Sequence, residues 1–426
     1  MDTISKENAP MACQGNAPGP EGSNDTLDSR CWRGAGVRGN RGYLTGRPDR
    51  TGCVWLLIGM NSKIIQDPVH GPIRASDAIL EMIDTPEFQR LRYIKNLGLC
   101  YLVFPSANHS RFEHSIGTFH LAGMYLDHLG IKSEETAMAA LLHDVGHFPF
   151  SHTIEDFYRK NRGVDHLEEG IKIIRGERES NIPSILEKYS IDVKKVVSIL
   201  EGRENVLSEI VSGPIDADEL DYLRRDSFYC GVSIGFVNPA RVISVSGIYD
   251  GRMIIEEKGL SDIESLLISR FLMYQAVYFH KTCRIANRML ERAAIMSEAY
   301  DTYRLSDQEF THLLMSDPRS EDMMRNILDR RLMKVLYKVK YDESLAHDIL
   351  NAVSEKFIVD IIPPLSFRGK DRLKTQVGVL LENRIATGEE SSPLVNALNS
   401  AIDRRYIYVY GYHEDERDLK RDLAGI

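Results

Sequence analysis

Leu141-Leu142-His143-Asp144-Val145-Gly146-His147 is the stretch on which the fold turns. The apolar run Ala137 to Leu142 delivers a His-Asp pair and stops at a glycine. Consecutive residues on a helix project about 100° apart, so both side chains meet one ion only where the helix wall borders a cleft. A carboxylate buried beside an imidazole is costly unless a cation lies between them. Taken alone, such a pair reads more readily as a satisfied core histidine beside a helix-terminal aspartate. The surroundings argue for more. His114 precedes the pair, His147, His152 and His166 follow it, and Asp216 and Asp218 come later. Of the 13 histidines, eight fall between His109 and His166.

The 426 residues suffice for two or three domains. Hydrophobic residues at 43% can build a sizeable core, and charged residues at 27% are ordinary. A net charge of −9 and a pI near 5.9 disfavour coating nucleic acid by bulk charge, but not a small anionic substrate held by a few local cations. No two of the six cysteines have C-x-x-C spacing, so neither a zinc ribbon nor a redox motif is expected, and the compartment reads as cytosolic. The early apolar run Val54–Ile58 is too short to span a membrane.

Residues 1–60, rich in Gly, Pro, Asn, Ser and Arg, lack any apolar period and are expected to be disordered. Lys63–Pro68 reads as a strand. Asp84 or Thr85 caps a helix with Pro86 in its first turn and Gly98 at its end. Ser110-Arg111-Phe112-Glu113 is a capping box that opens a helix to about Leu129, with His114 in its first turn. Further helices are expected over Glu134–Val145, from Ser151, over Leu167–Arg175, twice within 182–212, and from Ile215 to Asp226. Asp250-Gly251 signals a hairpin between Val242–Tyr249 and Arg252–Glu257. A long helix from Ser261 to about Tyr303 should follow. Beyond it, helical patterns at 321–338, 343–356 and 392–405 alternate with strands at Phe357–Ile362, Thr375–Leu381 and Tyr406–Tyr412. The expected organisation is therefore mainly α, with an N-terminal extension (1–60), a helical catalytic domain (61–304) and a small C-terminal α+β lobe (305–426).

His114, His143, Asp144 and Asp218 offer two nitrogen and two carboxylate ligands from three helices. Such mixed ligation suits a divalent Mg, Mn, Fe, Co or Zn ion with positions left for water or phosphate. His147, His152 and His166 can move protons near pH 7, and Glu155 could orient one of them. No nucleophile elbow, Walker loop or H-E-x-x-H motif competes, and phosphoester hydrolysis is the favoured chemistry.

An ordered set of motifs resembles the HD-domain phosphohydrolases, and among them the deoxynucleoside triphosphate triphosphohydrolases that pair a SAM domain with an HD domain, here without the SAM domain. It comprises Asp67-Pro68-Val69-His70-Gly71, Ile83 to Lys95, Phe104-Pro105, Arg111-Phe112-Glu113-His114-Ser115, the His143–His152 run, Asp216-x-Asp218-x-x-Asp221-Tyr222 and Tyr278-x-His280-Lys281. The resemblance spans about residues 62–300. It implies an all-helical HD core that splits a dNTP at the α-phosphorus into deoxynucleoside and triphosphate. It places a divalent metal on His114, His143, Asp144 and Asp218, and makes His166 the general acid, helped by His147. Arg111, His152 and Arg270 would hold phosphates, while Tyr222, Asp226, Tyr278 and Asn96 would face the sugar. Lys63, Asp84 and Arg92 match positions for an activating guanine nucleotide at subunit interfaces of a homo-oligomer, a dimer or tetramer. The chain departs from the pattern where Asn96 replaces a glutamine, Glu155 an aspartate, Leu167 a glutamate, Gln66 an asparagine, and Glu219 a phosphate-facing lysine. Alternatives are another HD phosphohydrolase (a nucleotidase or a phosphodiesterase acting on a nucleic-acid end) or a non-catalytic nucleotide sensor.

Overall fold

The computed structural model describes residues 62–363, 377–382, 384–401 and 405–426, all within one compact unit. The extension 1–60 lies outside the described residues. The fold is mainly α, as the apolar periodicity implies, with small sheets at its margins.

Two helices form the centre. Arg111–Leu129 starts at the Ser110/Glu113 capping box and ends at Gly130, whose φ of 67° suits glycine. Glu134–Leu142, capped by Ser133, is buried along almost its whole length, and packs against it. Ala137 to Leu142 are all at most 3% exposed, so this helix is core on every side and reads as a continuous apolar run. The Ala217–Cys230 helix lies across Arg111–Leu129, its N-terminus capped by Asp216, whose Oδ1 accepts from Glu219 N at 2.6 Å. Gly117 permits that crossing, because a Cβ there would fall 1.9 Å from Asp221 Oδ1.

Several expected elements differ. The helix expected from Pro86 to Leu97 stops at Gln89, continues as a 3₁₀ turn to Tyr93, and becomes extended at Ile94. The cause is tertiary: Arg111 N donates to Ile94 O, Asn96 N to His109 O, and Lys95 N to Asp307 Oδ2. The segment 182–212 holds three helices rather than two. Pro239–Ser244 is a helix capped by Asn238, so the hairpin is shorter than expected, β3 Ser246–Tyr249 with β4 Arg252–Glu256. The long helix breaks at a π-helical turn, Tyr274–Tyr278, before Lys281–Met296. The helix expected over 321–338 ends at Leu328, and Lys334–Lys340 is a strand.

At the N-terminal edge, β1 Lys63–Asp67 and β2 Gly71–Ala75 form an antiparallel hairpin. A second sheet has the order β3-β4-β7-β8, with β7 Gly378–Leu381 parallel to β4 and antiparallel to β8 Arg384–Thr387. A third places the aromatic strand β9 Tyr406–Gly411 between β5 Lys334–Lys340 and β6 Ile358–Ile361. Residues beyond 305 thus hydrogen-bond to a strand before it. They also share a core with the His-Asp loop, where Phe148 and Phe150 join Phe310, Met324 and Tyr410.

Candidate metal centre

Three helix ends bring the four expected ligands together: His114, His143 and Asp144 hold ligand atoms within 4.8 Å of one another, and Asp218 adjoins the two imidazoles. His114 sits in the first turn of its helix, His143 caps the end of Glu134–Leu142, and Asp218 lies in the first turn after the Asp216 cap. His114 Nε2 lies 3.0 Å from Asp218 Oδ1, 3.7 Å from Asp144 Oδ2 and 3.3 Å from His143 Nε2. His143 Nε2 lies 3.3 Å from Asp144 Oδ1 and 3.9 Å from Asp218 Oδ1.

The donor set fits a cation. His143 Nδ1 is 2.8 Å from Ala140 O, a carbonyl that only accepts, so Nδ1 carries the proton. His114 Nδ1 is 2.7 Å from Asp221 Oδ2 and donates likewise. Both Nε2 lone pairs therefore face inward at 3.3 Å, beside two carboxylates. Burial alone would push the His114 imidazole down, but Asp218, Asp221 and Asp144 outweigh it and push it up to about 10. The cluster demands positive charge, and a divalent ion supplies it without a proton.

Next to this cluster, His147 and His166 stack face to face, with ring centres 4.1 Å apart and planes 7° apart. With His152 they form a second group of convergent nitrogens. Imidazole lone pairs lie in the ring plane, so two parallel rings cannot point at one ion. The stacked pair is therefore not disposed as a second metal site. Glu155 bonds both His166 Nδ1 and, at 2.7 Å, His152 Nδ1. Burial opposes charge on His166, yet the Glu155 contact raises its pKa overall. His147 is held well below the ordinary value by burial, then by Arg111 and His166. The stack thus sets a ring whose protonation is favoured against one whose protonation is disfavoured. Gly146 makes the stack reachable, because its Cα face packs on the backbone of Gly170 and of His166.

A cleft of about 540 Å³ joins these groups to a tyrosine-lined end. There Asp226 accepts from Asn96 Nδ2 at 3.1 Å, from His109 Nε2 at 2.7 Å and from Tyr278 OH at 2.7 Å. Tyr222 and Arg111 also line the cleft, and Arg111 Nη1 reaches Asp144 Oδ2 at 2.8 Å. Phe150 and Ser151, with φ of 57° and 54°, make the strained turn that presents His152. Asp307 bonds Phe150 N at 2.6 Å, and Ser151 Oγ takes a bond from Arg111 Nε.

The sequence comparisons agree with this geometry. The profile of the HD domain matches residues 111–226, and that of the HD associated region matches 237–425. An uncharacterised protein of Methanocaldococcus jannaschii is 33% identical, over 84% of this chain and 81% of its own length. A deoxynucleoside triphosphate triphosphohydrolase SAMHD1 homolog of Dictyostelium discoideum is 31% identical, over 73% of this chain and 69% of its own length. A solved phosphohydrolase from Bacteroides thetaiotaomicron superposes with a TM-score of 0.69 at 26% identity, covering 83% of this chain and all of that one. The chain belongs to the HD-domain phosphohydrolases.

Within this HD phosphohydrolase, two groups of expected site residues lie away from the cleft wall. Arg270 is buried and paired with Glu219, Nη1 to Oε1 at 3.2 Å. Lys63, Asp84 and Arg92 are exposed at the edge of β1, at a helix end and in the 3₁₀ turn. Arg92 lies 3.4 Å above the Phe112 ring.

Sequence reasoning missed the support behind His114. Asp221, wholly buried, also meets His70 Nε2 at 2.6 Å and a bidentate Arg225, whose Nη1 reaches Asp67 at 2.9 Å. Asp218 and Asp221 are three apart on one helix, spacing that puts both beside the same imidazole, and that was the available signal. Arg90 sits in an amphipathic pattern where a charge ordinarily faces solvent. It is half-buried, and its guanidinium binds the carbonyls of Leu305, Val145 and His147, the last at 2.5 Å. No helix among the described residues is long and apolar enough to cross a membrane.

Proposed function

We propose that this HD phosphohydrolase cleaves a deoxynucleoside triphosphate at its α-phosphorus, releasing a deoxynucleoside and inorganic triphosphate. The observation that carries the reading is the continuity of one cleft from the His/Asp cluster to the Tyr222–Asp226–Tyr278 wall. A phosphate chain and a sugar fit those two ends, and relatives near 30% identity bear the name of that activity.

His114, His143, Asp144 and Asp218 would hold the divalent ion, which would supply an acidified water and neutralise phosphate charge. His166, whose protonated form Glu155 favours, gives its proton to the departing 5′ oxygen. His147 stays neutral beneath it and fixes the ring by stacking. Arg111 and His152 meet the phosphates, and Arg270 joins them only by leaving Glu219. Asp226, fixed by three donors, and Asn96 receive the sugar, with the Tyr222 and Tyr278 rings as its wall. A guanine nucleotide at Lys63, Asp84 and Arg92 would activate the enzyme from an interface of a homo-oligomer. The exposure of all three suits a site completed by a second copy.

One observation favours a second reading. The Glu219–Arg270 pair cancels a cation that a triphosphate would use. A substrate with fewer phosphates would suffer less, as for an HD nucleotidase or phosphodiesterase. Anion-exchange chromatography of the products from each dNTP, with Mn or Mg, separates the two. Triphosphate supports the proposal. Release of orthophosphate alone refutes it and selects the second reading.

A further inference from the structure

Two turns line the cleft side by side. One carries Asn96, Leu97 and Gly98, the other Phe150, His152 and Thr153. They touch with no room to spare. A Cβ on Gly98, itself at φ 52°, would stand 2.4 Å from Thr153 Oγ1 and 3.2 Å from Phe150 O. The left-handed pair Phe150 and Ser151 persists only where its surroundings over-determine it.

One carboxylate holds both turns from behind. Asp307 Oδ1 accepts from Phe150 N at 2.6 Å, and Oδ2 accepts from Lys95 N at 2.9 Å. Ser151 Oγ closes the same tie: it donates to Lys95 O at 2.9 Å and accepts from Arg111 Nε. Asp307 is buried behind the cleft wall rather than on it. It opens the helix Asp307–Ser316, whose start is fixed by the Ser306/Glu309 capping box. Phe310 and Leu314 of that helix share a core with Phe148 and Phe150, so the carboxylate stands on a rigid base. Burial pushes its carboxyl up to about 6, which leaves it ionised at neutral pH, with both oxygens free of a proton. A charge in such a place is costly, and here both oxygens go to N–H groups of the cleft wall.

We propose that Asp307 is a positioning residue of the reaction: it clasps the Asn96 turn to the His152 turn and so sets the distance between the sugar end and the phosphate end of the substrate. It lies outside the HD profile and inside the HD associated region, so that region completes the cleft. The proposal rests on the nucleotide reading, in which Asn96 meets the sugar and His152 the phosphates. The metal ligands are held by other partners, His114 by Asp221, His143 by Ala140 O and Asp144 by Arg111, and should stay in place.

Asp307→Asn is the test. It keeps the volume, removes the buried charge, and sets an N–H group of its own against a backbone N–H. A substrate that spans both turns is compared with its two halves, each of which meets one turn. The KM of dGTP should rise at least about tenfold. The inhibition constants of deoxyguanosine and of inorganic triphosphate should stay within about threefold of wild type, and divalent metal per chain should not change. A merely structural role lowers kcat with the folded fraction and leaves KM alone. An unchanged KM, or a rise matched by either half, overturns the proposal. Should the enzyme take monophosphates, dGMP and orthophosphate replace dGTP and triphosphate. Should it turn over neither, the Kd of dGTP replaces KM. Failure of the dNTP reading thus changes the ligand and leaves the test standing. If Asp307→Asn does not fold, Ser151→Ala cuts the second link between the same turns and must show the same split between whole and halves; equal losses there overturn the proposal as well.

Discussion

Gly146→Ala adds one methyl group between the His-Asp loop and the start of the His166–Arg175 helix. The new Cβ would stand 2.1 Å from Gly170 N and 2.2 Å from His166 O. Both are backbone atoms, so no side chain can swing aside. Reaching even 3.0 Å, below which real Cβ contacts essentially do not occur, needs a displacement of about 0.9 Å. That displacement falls on the helix whose first residue is His166, and it must separate a ring pair now 4.1 Å apart. Overpacking of this kind costs about 1–3 kcal/mol of stability. A shift near 1 Å in a catalytic group costs on the order of a hundredfold in rate. His114 and Asp218 belong to other helices and should keep their positions. The expectation is a loss of roughly a hundredfold in kcat, with bound metal and far-UV circular dichroism near wild type. Steady-state kinetics with metal analysis by mass spectrometry reads both. A kcat within threefold of wild type would falsify the placement of His166 as proton donor. Parallel loss of metal and activity would move the effect onto the ligands and refute the separation of the two groups.

His143→Ala or Asp218→Ala should remove stoichiometric divalent metal and all turnover while leaving the helical signal intact; activity retained in either rules out the ligand set. Asp221→Asn keeps volume but gives up the carboxylate that orients His114, so metal affinity should fall about 10- to 100-fold. An unchanged metal titration would refute the orienting role of Asp221. Glu155→Gln tests the sign of the proton relay. Glu155 raises the pKa of His166, and the acid form is present below that pKa and lost as pH rises through it. Removing the charge lowers the pKa, so the alkaline limb of kcat should move to lower pH. A limb that stays put, or moves up, excludes His166 as the general acid.

The metal centre is legible in the chain because its members sit at helix ends, and helix ends carry local signals. The Ser110/Glu113 box and the Asp216 cap each announce a start within a few residues of a ligand, and His143 closes the helix whose apolar run ends at Leu142. The elements that read wrongly are those decided by distant partners. Residues 94–96 have helical composition, but their backbone pairs with 109–111 and with Asp307, and this turns Asn96 toward Asp226. The π-helical turn at Tyr274–Tyr278 leaves no mark in apolar spacing, yet it puts Tyr274 and Tyr278 on the cleft while Arg270 stays behind with Glu219. Charge misleads in the same way. Arg90 looks like a solvated residue on an amphipathic helix, but three carbonyls around its guanidinium include those of Val145 and His147. Burial lowers its pKa only to about 10, so it remains a cation at neutral pH. A fixed positive charge thus lies directly behind the loop that carries Asp144. The His-Asp pair is held from the front by its ligand partners and from behind by a residue whose role only the folded chain reveals.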